Sequence, residues 1–163
     1  MKTLGRILLA EDDENDIDLT LSALAENNLA NEVDVVHDGD EALDYLFRRG
    51  PFTGRPAENP VVVLLDIKMP KVDGLEVLRQ VRADPELCVL PVVILTSSHE
   101  EQDLVRSYRL GVNAYVVKPV EFQAFSEAVK LLGVFWALLN EPPPGASSRK
   151  KQDAGSPPGE KTT

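Results

Sequence analysis

The stretch Val61-Val62-Val63-Leu64-Leu65-Asp66-Ile67-Lys68-Met69-Pro70-Lys71-Val72-Asp73-Gly74 constrains the fold more than any other. Five consecutive apolar residues, three of them β-branched, run straight into a carboxylate. So short and uninterrupted an apolar run suits a central strand of a parallel sheet covered by helices on both faces. Asp66 then falls at the C-terminal end of that strand, where open α/β sheets bind ligands. Met69-Pro70 and Asp73-Gly74 break regular structure just beyond it, so Asp66 is expected in a concave mouth. Alone, an Asp in this place is more often the cap of the next helix. A second acidic cluster ending another strand, Glu11-Asp12-Asp13, and Lys118-Pro119 after a third favour a site instead.

The rest of the chain repeats the pattern. Ile7-Leu8-Leu9-Ala10 reads as a short buried strand stopped by the acids. A helix follows from about Asn15, with Ile17, Leu21 and Leu24 on one face, fading at Asn27-Asn28. Glu32 to His37 is a second strand, and Asp38-Gly39-Asp40 starts a short helix that is expected to stop at Gly50. Three prolines and two glycines between Gly50 and Pro60 exclude regular structure there. After the central strand, a helix from about Gly74 carries Leu75, Leu78 and Val81 inward and ends at Asp84-Pro85. Val92 to Thr96 is a buried strand, Glu100 to Leu110 a polar helix closed by Gly111, and Ala114 to Val117 the fifth strand. A last helix, from about Glu121, carries Phe122, Phe125, Val129, Leu132, Phe135, Trp136 and Leu139. Residues 141–163, rich in Pro, Gly, Ser and Lys, read as a disordered tail after a domain spanning 1–140.

Five strands alternating with five helices imply an α/β fold, a doubly wound five-stranded parallel sheet with right-handed crossovers. Order 2-1-3-4-5 is the simplest solution, and it brings the C-terminal ends of the first and third strands together. Glu11, Asp12 and Asp66 would then share one mouth. Three packed carboxylates repel, and a divalent cation relieves them. Hard oxygen ligands with waters completing the octahedron suit Mg2+ better than calcium or zinc. Lys118 adds an ammonium and Thr96 a hydroxyl. Such a group can stabilise a phosphoryl group moving onto a carboxylate, because that chemistry is mostly positioning and charge neutralisation.

The formal net charge of -10, from 17 basic and 27 acidic residues, argues against binding nucleic acid through its phosphates. The single cysteine, Cys88, excludes an internal disulfide. No stretch approaches membrane-spanning length and no signal peptide precedes the first strand, so a cytoplasmic protein is expected.

At these residues the chain resembles the receiver domains of two-component response regulators. Leu9-Ala10-Glu11-Asp12, Leu65 to Gly74, Ile94-Leu95-Thr96-Ser97-Ser98 and Tyr115-Val116-Val117-Lys118-Pro119 carry the likeness, over roughly residues 5 to 135. The resemblance implies the flavodoxin-like receiver fold and makes Asp66 the phosphoacceptor for a sensor histidine kinase, in a protein that is not otherwise an enzyme. It makes Asp12 the direct Mg2+ ligand, Glu11 a ligand through water, and the backbone carbonyl of Lys68 the remaining protein contribution. Thr96 and Lys118 would bind phosphoryl oxygens, Tyr115 would be the aromatic switch, and the Lys118–Pro119 bond would be cis. Where many members carry two aspartates this chain has Glu11, and the extra acid Asp13 is assigned to capping the first helix or to supporting the metal ligands. Lys68 and Ser98 stand at the family's variable positions beside the phosphoryl group.

Within the family, the Gly50 to Pro60 loop, Arg82 to Leu87 and Gly133-Val134-Phe135-Trp136 look like stand-alone regulators paired with bacterial phytochromes. That likeness implies a phytochrome-type kinase as partner. It also implies a homodimer through the fourth helix, fifth strand and fifth helix, with Phe135, Trp136 and Leu139 at the interface. Two other chemistries fit less well. A haloacid-dehalogenase-type phosphatase needs a second Asp two residues after the nucleophile, and that position is Lys68. A flavodoxin-like FMN carrier needs a phosphate-cradling loop after the first strand, where Glu11-Asp12-Asp13 would repel the phosphate.

Overall fold

A computed structural model describes residues 6–26, 32–97, 100–118 and 123. The elements are β1 (Ile7–Ala10), α1 (Glu14–Glu26), β2 (Val33–Val36), α2 (Gly39–Phe47), β3 (Val62–Leu65), α3 (Gly74–Ala83), β4 (Val92–Thr96), α4 (Glu101–Arg109) and β5 (Ala114–Val117). The expected fifth helix, the Phe135, Trp136 and Leu139 face, Ser98, the Lys118–Pro119 bond and the tail lie outside the described residues.

The five strands form one parallel sheet in the order β2-β1-β3-β4-β5, as expected. Ala10 pairs with both Val36 and Leu65, and Leu65 with Ile94. The first residues past β1 and β3, Glu11 and Asp66, therefore emerge side by side.

Although β1 and β3 are apolar throughout and β4 up to Thr96, the strand residues divide by twos between two cores. Leu8, Ala10, Val63, Leu65 and Ile94 pack with the buried faces of α2 and α3. Ile7, Leu9, Val62, Leu64, Val93 and Leu95 pack with Ile17 and Leu24 of α1. Continuous hydrophobicity was thus a signal of two covered faces, and every residue of β1, β3 and β4 is buried, whereas the edge strands β2 and β5 are partly open. Truncating any of the central leucines removes contacts worth about 2–5 kcal/mol.

Local chemistry sets the helix starts. Asp38 and Asp73 cap α2 and α3 by accepting from Glu41 N and Glu76 N, at 2.7 and 2.9 Å. The helix α2 does not run to Gly50. It ends at Phe47 because Arg48 adopts the left-handed region (φ 55°), and Gly50 (φ 57°) turns the chain again. Within the proline-rich loop Gly50–Phe52 forms one 3-10 turn, which corrects the expectation of no regular structure. Pro51 is tolerated there because the first turn of a helix does not use its N–H.

Candidate functional site

The mouth at the C-terminal end of the sheet is built by strand register. Asp66 N donates to Ala10 O at 3.0 Å, and Glu11 N to Val36 O at 3.0 Å, so each acid is fixed by the neighbouring strand's last carbonyl. Both side chains are buried, while Asp12 is exposed at the rim. Carboxylate oxygens of Glu11, Asp12 and Asp66 lie within 4.8 Å of one another, the grouping expected from the sequence.

Asp66 is not a helix cap, since Asp73 performs that task for α3. The turn between them is tight. Gly74 N donates to Ile67 O at 2.8 Å, and a Cβ on Gly74 would stand 2.0 Å from Asp66 O. Only glycine lets the start of α3 approach the phosphoacceptor candidate this closely. Lys71 completes the turn in the left-handed region (φ 66°), with Val72 N donating to Pro70 O at 2.9 Å. A lysine in that conformation is strained, as residues beside reactive groups often are.

Lys118 enters from the end of β5, where its N–H donates to Thr96 O at 2.8 Å. Its ammonium makes a close contact with Glu11 Oε2 and reaches Asp16 Oδ2 at 3.0 Å and Asp66 Oδ2 at 3.4 Å. Burial opposes the charge on Lys118, but the Glu11 hydrogen bond, the Asp66 charge and the Asp16 hydrogen bond outweigh it and hold its pKa above the ordinary lysine value. Burial likewise pushes the Glu11 carboxyl up to about 7, with Asp66 adding repulsion, against the opposing pull of Lys118 and the Asp13 amide. A carboxyl so perturbed beside another acid is one that a further cation would relieve.

Thr96 is buried at the last position of β4, opposite Val117, and Tyr115 is half-buried on β5 opposite Ile94. Lys68 is exposed beside the mouth, with its ammonium 3.9 Å from Glu100 Oε1. Asp13 proves to be a cap: its Oδ1 accepts from Asp16 N at 2.9 Å.

Asp16 itself is the residue that sequence reasoning missed. The only local hint was an acid in the first turn of α1, and acids there are common because the helix dipole favours them. Nothing local showed that this acid would look toward Lys118.

The response regulator receiver domain family model matches residues 7–130. The chain is 36% identical to response regulator Rcp1 of Synechocystis over 130 residues, which span 80% of this chain and 87% of that protein. Among solved structures it is 62% identical to the bacteriophytochrome response regulator RtBRR, covering 88% of this chain and 86% of that one with a TM-score of 0.77. It is also 62% identical to the bacteriophytochrome response regulator AtBRR, covering 86% and 100% with a TM-score of 0.78. The Mn2+-bound form of Rcp1 is 34% identical, covering 85% and 99% with a TM-score of 0.68.

Proposed function

The chain belongs to the response regulator receiver domain family, and from that premise we propose that Asp66 accepts a phosphoryl group from the phosphohistidine of a sensor histidine kinase. A carboxylate oxygen of Asp66 forms a bond to phosphorus, the phosphorus–nitrogen bond breaks, and the imidazole leaves with its electron pair. The observation that carries this reading is the convergence of Glu11, Asp12 and Lys118 on a buried Asp66 at the mouth of the sheet. Lys118 supplies an ammonium to the phosphoryl oxygens and Thr96 a hydroxyl, so charge is met by groups already in place. Tyr115, half-buried on the adjacent strand, is the residue that responds when Thr96 engages the phosphoryl group.

The donor set fits a hard divalent cation. Glu11, Asp12 and Asp66, with the Lys68 backbone carbonyl, would hold Mg2+, which when bound neutralises charge on the phosphoryl oxygens. The Mn2+-bound form of the relative Rcp1 supports a divalent metal here. No catalytic turnover of other substrates is assigned, because the protein is itself the acceptor.

The bacteriophytochrome regulators among its relatives support a phytochrome-type kinase as the phosphoryl donor. Output by protein contact, through a homodimer on the α4 and β5 side, is supported by Leu104, Val105 and Tyr108, which are 38%, 40% and 55% exposed on α4. Among the described residues no helix is long and apolar enough to cross a membrane, which fits the proposal of a cytoplasmic protein.

Labelling with acetyl phosphate and Mg2+ tests the central claim. Wild type should form an acid-stable, alkali-labile acyl phosphate, and Asp66→Asn, which keeps the shape but lacks the nucleophile, should form none. Equal labelling of the variant would sink the assignment.

A further inference from the structure

An ammonium has three N–H donors, and the one on Lys118 faces three carboxylates, on Glu11, Asp16 and Asp66. Glu11 and Asp66 also belong to the group that can hold a cation, whereas Asp16 does not. Its side chain is 37% exposed, against 3% for Glu11 and 10% for Asp66.

The local sequence explains why this carboxylate is available. With Asp13 as the cap of α1, Asp16 takes the third helical position, where an acidic side chain commonly turns back onto the cap residue's amide. That amide is already used, since Asp13 N donates to Glu11 Oε1 at 3.1 Å. Asp16 is left to meet Lys118, which is 102 residues away in sequence. The N-terminal end of the α1 dipole favours its negative charge.

We propose that Asp16 is a positioning residue for Lys118, holding the ammonium in the mouth while Glu11 and Asp66 turn their oxygens to a cation and a phosphoryl group. The inference rests on the phosphoacceptor reading above. A buried ammonium stripped of its carboxylates is strongly penalised. With Asp16 present, Glu11 can leave Lys118 for the cation and the ammonium still has an anionic partner. Without it, Glu11 stays tied to Lys118 and cation affinity falls. After transfer the phosphoryl oxygens become partners of Lys118, and Asp16 remains outside the reacting atoms.

Calorimetric titration of the full chain with Mg2+, with no phosphoryl donor present, tests this. Asp16→Asn should raise the Kd roughly tenfold, as loss of a residue supporting a metal ligand commonly does. Asp16→Glu should recover most of the affinity. Asp18→Asn removes the same charge from an exposed position on the same helix and should stay within about twofold, since solvent screens it. In a Lys118→Met background, Asp16→Asn should add less than about a twofold change, because its effect passes through the ammonium. Asp16→Ser, a second neutral replacement, gives the same reading if Asn perturbs the helix.

Wild-type affinity in both neutral variants, equal shifts at positions 16 and 18, or a full tenfold loss in the Lys118→Met background would each overturn the proposal. Failure of Asp66 to be labelled would remove the phosphoacceptor reading and leave the titration result as it stands, so the two failures are distinct.

Discussion

Lys118 at the C-terminal end of the sheet has a side chain only 10% exposed, Arg82 at its N-terminal end is half-buried, and the two cations are held by opposite kinds of partner. Lys118 faces three carboxylates on movable side chains. Arg82, in the last turn of α3, donates from Nε to Gly111 O at 2.8 Å and from Nη1 to Cys88 O and Leu90 O at 3.0 and 2.7 Å. Its Nη2 donates to Asn113 Oδ1 at 2.8 Å, an oxygen that also accepts from Val92 N at 2.9 Å. Every one of these acceptors is neutral. Burial accordingly pulls the Arg82 pKa below its ordinary value, whereas the surrounding acids raise that of Lys118. Backbone carbonyls fixed in two loops cannot exchange partners, so Arg82 ties the approaches to β4 and β5 together permanently. Carboxylates on rotatable side chains can be reassigned, which is what the proposed uptake of a cation and a phosphoryl group requires.

The comparison is most exposed to failure at Lys118. Lys118→Met leaves buried acids without their ammonium and should cost about 3–5 kcal/mol in urea unfolding without metal. Saturating Mg2+ should return part of that loss, because a bound cation replaces the missing charge. A variant whose stability ignores Mg2+ would mean that these carboxylates do not accept a substitute cation.

Arg82→Ala should cost about 3 kcal/mol, since several charge-assisted hydrogen bonds are lost together. Here Mg2+ should restore nothing beyond what it adds to wild type, and labelling of Asp66 per folded molecule should be unchanged. Selective recovery by Mg2+ would erase the distinction between the two ends.

The smallest effect belongs to a contact at the sheet edge that combines both kinds of partner. The Tyr45 hydroxyl donates to Asp34 Oδ2 at 2.6 Å, its ring meets Phe52 edge-on at 5.2 Å, and the Arg55 guanidinium lies 4.4 Å from the ring centre. Burial first, and then the hydrogen bond to Asp34, push the Tyr45 phenol up to about 12 from 10. A pKa raised on folding stabilises fully below the unfolded value, so this contribution is complete below pH 10 and is lost as pH rises through 12. Phenolate absorbance should therefore show a tyrosine ionising near pH 12 that is missing from the Tyr45→Phe variant. Loss of no late-ionising tyrosine in Tyr45→Phe would show that the burial of Tyr45 and its Asp34 bond do not hold in solution.

The legible parts of this molecule were those governed by near neighbours. The apolar runs of β1, β3 and β4 announced strands covered on both faces, because no solvated strand tolerates so little polarity. Asp73-Gly74 announced the start of α3, since a cap and its amide are separated by only three residues. The end of α2 was misplaced for a related reason: the sequence offered Gly50 as the cheapest left-handed residue, yet Arg48 adopts that conformation first. Its backbone N–H donates to Tyr45 O at 3.3 Å, and Arg49 N to Asp44 O at 3.0 Å, giving the last carbonyls of the helix their partners.

By itself the sequence determined the alternation of strands and helices, and with it the acids and lysine at strand ends, because burial and capping are decided within a turn or a strand. Which acid would hold which cation was decided only by the tertiary structure. Asp16 and Lys118 are 102 residues apart, and Arg82 and Asn113 are 31 apart. Their meetings depend on sheet order, register and the lean of α1 and α3 against the strands. A charged side chain's partner is set by what folding brings within about 3 Å, and no local pattern records that distance.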